Sequence, residues 1–174
     1  LRVRGTGDAR APFFTDQDEQ RLLFELSQMS NPNHLRLTKL ALTTGFRRSE
    51  LLSLTWRNID LGKKLLYIYR KNCAAIDNSS GLRLVPLPEK AQKILEELNE
   101  RNGKVIELSK GAARNGFDKA RKKAGLETLR FHDLRHIAIS RMWSSGMNAL
   151  EISACSGHRD IKMLMRYSHY QLSF

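Results

Sequence analysis

The sequence predicts an α+β fold: a mostly α-helical domain that carries one small antiparallel β-hairpin or short sheet. Two observations predict it. Apolar residues recur at helical spacing in most segments, and these segments begin or end at capping residues, glycines or prolines. Only two short stretches, Leu65–Tyr69 and Leu82–Pro86, have the composition of strands, and a polar stretch separates them.

Length, charge and cysteine content limit the class of protein. The 174 residues suffice for one domain with a buried core. Lysine and arginine number 30 against 18 aspartate and glutamate, a net charge of +12. This excess is spread along the chain, so it predicts nucleic acid as the partner before a membrane surface. Cys73 and Cys155 lack the spacing of metal ligands, so a reducing, cytoplasmic setting is expected.

The two ends of the chain are expected to differ from its middle. Residues 1–12 carry arginines and glycines without an apolar period, so they predict a flexible lead-in before a domain that spans residues 13–174. Because the chain begins at Leu1, not at methionine, we expect it to be part of a longer protein. No apolar run is long enough for a transmembrane helix, and no signal-peptide pattern occurs.

Each predicted element has its own signal. Thr15 is a capping residue followed by acids, which predicts a helix to about Met29. Two arginines, Arg47 and Arg48, stand at the start of a later helix, where they oppose the helix dipole unless an anion binds there. The other predicted elements are helices over about 34–44, 89–101, 110–124 and 132–145, one after Asn148, one after Asp160, and a polar hairpin tip over 72–81.

Four separated motifs lie in order along the chain, and together they resemble the catalytic domain of the tyrosine recombinases, which include phage integrases and Xer-type recombinases. Phe13-Phe14-Thr15 is similar to the usual start of that domain. The motifs are Thr44-Gly45-Phe46-Arg47-Arg48-Ser49-Glu50 with Leu54-Thr55-Trp56; Lys71 before Leu82-Arg83-Leu84-Val85-Pro86-Leu87; His132-Asp133-Leu134-Arg135-His136; and Gly157-His158, nine residues before Tyr167-Ser168-His169.

The resemblance implies a fold of the DNA breaking–rejoining type and a site-specific recombinase or integrase. It implies double-stranded DNA as the partner, a 3′-phosphotyrosyl intermediate, and a homo-tetramer on DNA whose isolated domain is a monomer. It also implies a helical DNA-binding domain before Leu1 and a bacterial or phage protein that acts on the chromosome.

The chemistry of these residue types fits metal-free cleavage of a phosphodiester, which needs a nucleophile, positive charge and a proton donor. Arg47 and Arg135 stay charged and can donate to the non-bridging oxygens, and His158 can donate a further hydrogen bond. Two guanidinium groups nearby would help the phenol of the nucleophile Tyr167 lose its proton. The remaining catalytic candidates are His132, as base or oxygen ligand, and Lys71, as acid for the leaving 5′-oxygen.

Several further candidates and alternatives stay open at this point. Glu50 and Asp133 are candidate orienting residues, and His136 is equally well a structural histidine. Arg70 competes with Lys71 for the acid position, and Tyr170 is a rival of Tyr167. Candidate contacts to the DNA backbone are Arg48, Arg70, Arg114, Lys119, Arg121 and Lys122.

Three departures from the family pattern leave the packing around Tyr167 open: Ile137, Cys155-Ser156-Gly157 and Leu164. No metal and no cofactor are expected. His132 and His136 have the spacing of zinc ligands on a helix, but Arg135 shares their face and the usual glutamate is missing. Two other functions remain possible: a type IB topoisomerase, which shares the chemistry, and a non-catalytic DNA-binding module derived from a recombinase.

Overall fold

A computed structural model describes residues 14–69, 82–99, 101–158, 162, 164 and 165 of the chain. Its elements are α1 (Asp16–Ser27), α2 (Asn33–Thr44), α3 (Arg48–Ser53), a short 3-10 helix (Trp56–Asn58), β1 (Ile59–Asp60), β2 (Leu65–Tyr69), β3 (Leu82–Pro86), α4 (Glu89–Glu96), α5 (Lys110–Lys123), α6 (Asp133–Ser144) and α7 (Ala149–Ser156). The predicted fold class, mostly helical with a small antiparallel sheet, is confirmed.

Two helices begin at residues that the sequence marks as caps. Thr15 accepts a hydrogen bond from the Asp18 backbone N–H at 3.1 Å, and the Asp18 carboxylate accepts one from the Thr15 N–H at 2.9 Å. Asn148 and Glu151 form the same reciprocal pair at the start of α7. Such boxes satisfy donors that the first helical turn leaves without partners, so both helix starts are fixed locally.

The central helix of the domain is α2, which contacts α1, α3, α4, α5 and α6. It is central because its apolar residues point to several sides at once: Leu37, Leu40, Ala41 and Leu42 are all buried. The helix ends at Gly45, whose φ of 66° lies in the left-handed region that favours glycine. The first arginine motif therefore follows directly after the central helix of the core.

The sheet contains one strand more than the sequence predicts. The strands are ordered β1-β2-β3, all antiparallel, with Ile68 opposite Arg83 and Tyr67 opposite Leu84. The extra strand β1 is only two residues long, which is too short for a periodic pattern to reveal. Strand β3 alternates between exposed and buried residues and so presents Arg83 and Val85 to the interior, where it contacts α7.

The prediction for α4 is wrong at its end. The helix stops at Glu96 instead of near residue 101. Beyond it the chain turns back: the Gly103 carbonyl accepts a hydrogen bond from the Trp56 N–H at 3.0 Å, and the Val105 N–H donates to the Leu54 carbonyl at 3.0 Å. These tertiary hydrogen bonds hold the chain just after the predicted helix, and local propensity does not reveal them.

Several predictions fall outside the described residues: the lead-in over 1–12, the hairpin tip, Arg70, Lys71, Cys73, the last helix, Tyr167 and Tyr170. Within the described part of the chain, no helix is both long and apolar enough to cross a membrane.

Candidate active site

The second arginine of the predicted site lies at the junction of two helices. Arg135 belongs to α6, is 3% exposed, and donates from Nη1 to the Gly45 carbonyl at 2.7 Å. That carbonyl belongs to the glycine that ends α2, so the contact joins two motifs that are far apart in sequence. A buried guanidinium requires such hydrogen bonds, because an unpaired buried charge is strongly destabilising.

Arg135 also contacts His158, which follows the left-handed glycine at the end of α7. Its Nη2 lies 3.2 Å from both ring nitrogens of His158. The His158 carbonyl accepts a hydrogen bond from the Ser153 hydroxyl at 2.7 Å, which fixes the backbone at this point. The predicted pair Arg135 and His158 is therefore brought into direct contact.

Ser156 sets the tautomer of His158. Its hydroxyl donates to the Ile152 carbonyl at 2.6 Å, and its Oγ lies 2.7 Å from His158 Nδ1. Because a serine hydroxyl has one hydrogen, its Oγ must accept from Nδ1–H, which leaves Nε2 without a proton. Burial, and then the positive charges of Arg135 and Arg47, lower the pKa of His158 to about 4, in agreement with a neutral ring.

The free protein is therefore expected to hold His158 neutral down to about pH 4 with the proton on Nδ1. Nitrogen–proton NMR correlations of the imidazole would report both properties. Since an unfolded histidine takes up its proton near pH 6.5, the unfolded chain binds more protons between pH 6.5 and 4, and stability falls as pH falls through that window. Ser156→Ala is the control that should disturb the Nδ1 signal. Titration of His158 near pH 6.5 in the wild type would contradict the assignment.

The first arginine is more open to solvent than the second. Arg47 is the residue just before α3, and its side chain is 48% exposed. Its backbone N–H donates to Glu50 Oε2 at 2.8 Å, and its Nη1 lies 3.5 Å from Glu50 Oε1. Glu50 thus holds both the backbone and the side chain of Arg47, which is the orienting contact that the sequence suggested for it.

His132 lies immediately before α6 and is more exposed than Arg135, which lies in that helix and is buried. The rings of His132 and His136 meet edge to face with centroids 5.0 Å apart. Partial burial first, and the charge of Arg135 second, lower the pKa of His132, so its ring is neutral at neutral pH. Asp133 instead orders the preceding loop, since its carboxylate accepts the Arg130 N–H at 2.7 Å.

A cleft of about 400 Å³ lies between the arginine motifs and α5. It is walled mainly by basic side chains, with one acid and three phenylalanines among them: Phe46, Arg47, Arg48, Arg114, Phe117, Asp118, Arg121, Arg130, Phe131, His132 and Arg135. Of the predicted DNA contacts, Arg48, Arg114 and Arg121 line it. Lys119 and Lys122 are exposed on α5 but are not among the lining residues.

The three departures from the family pattern are buried in the core. Ile137, Cys155 and Leu164 all belong to the hydrophobic cluster, so each acts as packing. Ser156 is different, because it holds His158. Arg83 and Ser156 are among the polar residues near the site to which the sequence had assigned no role. A charge at an inward position of strand β3 was the available signal for Arg83.

The fold and the arrangement of the motifs define a mostly helical domain with a basic cleft. Comparison with known proteins identifies its class. The phage integrase family profile matches residues 12–173. The chain belongs to the phage integrase family.

Individual relatives agree with this assignment. The chain is 35% identical over 87% of its length to a shufflon-specific DNA recombinase of Escherichia coli, and 30% identical over 98% to the integrase of Escherichia phage 186. The solved catalytic domain of bacteriophage HP1 integrase is 27% identical, with a TM-score of 0.73 over 91% of this chain and 87% of that one. The chain spans only 38% of the shufflon recombinase and 47% of the phage 186 integrase.

Proposed function

We propose that this chain is the catalytic part of a site-specific DNA recombinase or integrase, which cuts and rejoins strands through a 3′-phosphotyrosyl intermediate. The observation that carries the proposal is the direct contact of Arg135 with both Gly45 and His158, because it brings three of the four motifs to one place. Several relatives that match the chain are recombinases or integrases, which supports the same reading.

The site residues are proposed to divide the chemistry as follows. The Tyr167 oxygen attacks phosphorus and forms a new P–O bond while the P–O5′ bond breaks. His132, neutral because its pKa is lowered, accepts the phenolic proton, and Lys71 gives a proton to the leaving 5′-oxygen. Since one phosphoester replaces another, the reverse attack by a 5′-hydroxyl rejoins DNA without ATP.

Arg47 and Arg135 are proposed to neutralise the charge that develops on the non-bridging oxygens. An arriving phosphate oxygen would compete with His158 for the Arg135 Nη2–H. Its negative charge would also raise the pKa of His158, so that the ring can become a second donor to the phosphate. In this proposal His158 is neutral in the free protein and takes up a proton when the substrate binds.

Double-stranded DNA is the proposed substrate, held along the basic cleft by Arg48, Arg114 and Arg121. Several structural neighbours are recombinases or integrases solved with DNA, among them the Tn1549 transposon integrase and XerH. A homo-tetramer on DNA and a cytoplasmic setting are part of the proposal. Lys119 and Lys122 are proposed only as outer contacts, since they do not line the cleft.

The test is capture of a covalent adduct on a pool of nicked DNA duplexes with random sequence around the nick. A recombinase should give a denaturant-resistant protein–DNA species enriched in particular sequences. A topoisomerase should give adducts without sequence enrichment and should relax any supercoiled plasmid. Salt-dependent binding without adduct would support the non-catalytic module and contradict the proposal.

A further inference from the structure

Arg83 is a charged residue in the interior of the domain. It lies on β3 opposite Ile68, on the face that contacts α7, and is 7% exposed. The neighbouring inward residue, Val85, has the apolar character expected there. A buried guanidinium costs several kcal/mol of desolvation unless its surroundings compensate for it. A guanidinium buried at this position therefore requires specific partners around it.

One side of Arg83 faces the first arginine motif. Its Nη2 lies 3.6 Å from Glu50 Oε1, and its guanidinium carbon lies 5.2 Å from the centroid of the Phe46 ring. Glu50 is the residue that accepts the Arg47 backbone N–H, so one carboxylate is shared between the buried arginine and the exposed one. Arg83 therefore contacts the same carboxylate that holds Arg47.

The other side of Arg83 faces the turn before His158. A Cβ added to Gly157 would overlap the Arg83 guanidinium, so the side chain occupies the space beside that glycine. Gly157 has a φ of 74°, ends α7, and connects Ser156 to His158. Phe46 also precedes Arg47 directly. The guanidinium is therefore packed between the two backbone segments that carry Arg47 and His158.

We propose that Arg83 is a positioning residue that fixes Arg47, through Glu50, and His158, through Gly157, relative to one another at the scissile phosphate. The inference rests on the DNA-cleaving function proposed above. Arg83 acts through other residues and is not proposed to touch the DNA. Small displacements of charge-neutralising groups are costly, since a misplacement of about 1 Å can lower a rate about 10²-fold.

The first experiment measures single-turnover adduct formation at saturating DNA for Arg83→Met, Arg83→Lys and Val85→Ala. Val85→Ala is the matched control, because it removes buried volume from the same face of β3 without changing charge. Arg83→Met should slow cleavage about 10- to 100-fold with little change in DNA affinity, and Arg83→Lys should recover part of the rate. Equal rates for Arg83→Met and the wild type would overturn the inference.

A neutral substrate separates positioning from general destabilisation. When a methylphosphonate replaces the scissile phosphate, the negative charge that Arg47 neutralises is absent. The factor by which Arg83→Met slows adduct formation should be smaller on that substrate, and the same should hold for Arg47→Met. If Arg83→Met slows adduct formation by the same factor on both substrates, Arg83 serves only the stability of the domain, and the inference is overturned.

The second experiment does not depend on cleavage. Amide hydrogen exchange should accelerate in Arg83→Met at Arg47, whose N–H donates to Glu50, and at Gly157, whose N–H donates to the Ser153 carbonyl at 2.8 Å. Ala113 in α5 should keep its protection. Unchanged exchange at Arg47 and Gly157 would overturn the inference. If the wild-type protein forms no adduct, the proposed function is wrong. The amide hydrogen exchange of Arg83→Met would still decide whether Arg83 positions Arg47 and Gly157.

Discussion

Replacing Arg135 with methionine is expected to lower the rate of adduct formation about 10²- to 10³-fold, the usual cost of removing one donor to a developing charge. The variant loses the proposed donor to the phosphate and also the group that contacts His158. It leaves the buried Gly45 carbonyl without the Nη1 donor, which should reduce the free energy of unfolding by about 1–3 kcal/mol. Single-turnover kinetics and urea unfolding of the same preparations measure the two effects separately.

Arg141→Met is the matched control for this prediction. Arg141 lies on the same helix as Arg135 but is exposed, and it pairs with Glu19 of α1 at the surface. Its loss should leave the cleavage rate near that of the wild type. If Arg135→Met cleaves DNA at the wild-type rate when both proteins are folded, Arg135 does not serve the phosphate.

Replacing Tyr167 with phenylalanine is expected to abolish the covalent adduct, because the variant lacks the oxygen that forms the new bond to phosphorus. DNA affinity should change little, since the ring remains and the phosphate contacts are proposed for other residues. The readout is a denaturing gel of protein incubated with the nicked duplexes, followed by mapping of the peptide that remains attached to DNA.

Tyr170→Phe tests the alternative nucleophile in the same assay. This tyrosine lies three residues beyond Tyr167 and does not have the expected spacing from His158. The variant should form the adduct at the wild-type rate. If Tyr167→Phe still forms the adduct and Tyr170→Phe does not, Tyr170 is the nucleophile.

Local signals in the sequence predicted most of the fold. Thr15 and Asn148 cap helices through hydrogen bonds to residues two or three positions away, so a pattern within one turn suffices. The end of α4 at Glu96 was not predicted in this way, and the segment that follows is held by hydrogen bonds to the Trp56 and Leu54 region. Long-range contacts of this kind leave no local pattern in the sequence.

The candidate site shows the same division between local and long-range information. The motifs around Arg47, Arg135 and His158 could be recognised separately, but their convergence depends on the Gly45 carbonyl and on the ends of two helices. Ser156 looked like a departure from the family pattern, yet its hydroxyl determines which nitrogen of His158 carries the proton. A charge at an inward position of β3 marks Arg83 in the sequence, but its contacts with Glu50 and Gly157, which are far from it in sequence, appear only in the three-dimensional packing.

The anchoring of Arg135 on Gly45 has a consequence for heat inactivation. Gly45 ends α2, the helix around which the other helices pack, and local opening is least frequent in such central elements. The arginine should therefore keep its orientation until the whole domain melts, so that the loss of its contacts coincides with cooperative unfolding. Local opening at the periphery of the domain, for example at β3, should leave the contact between Arg135 and Gly45 intact.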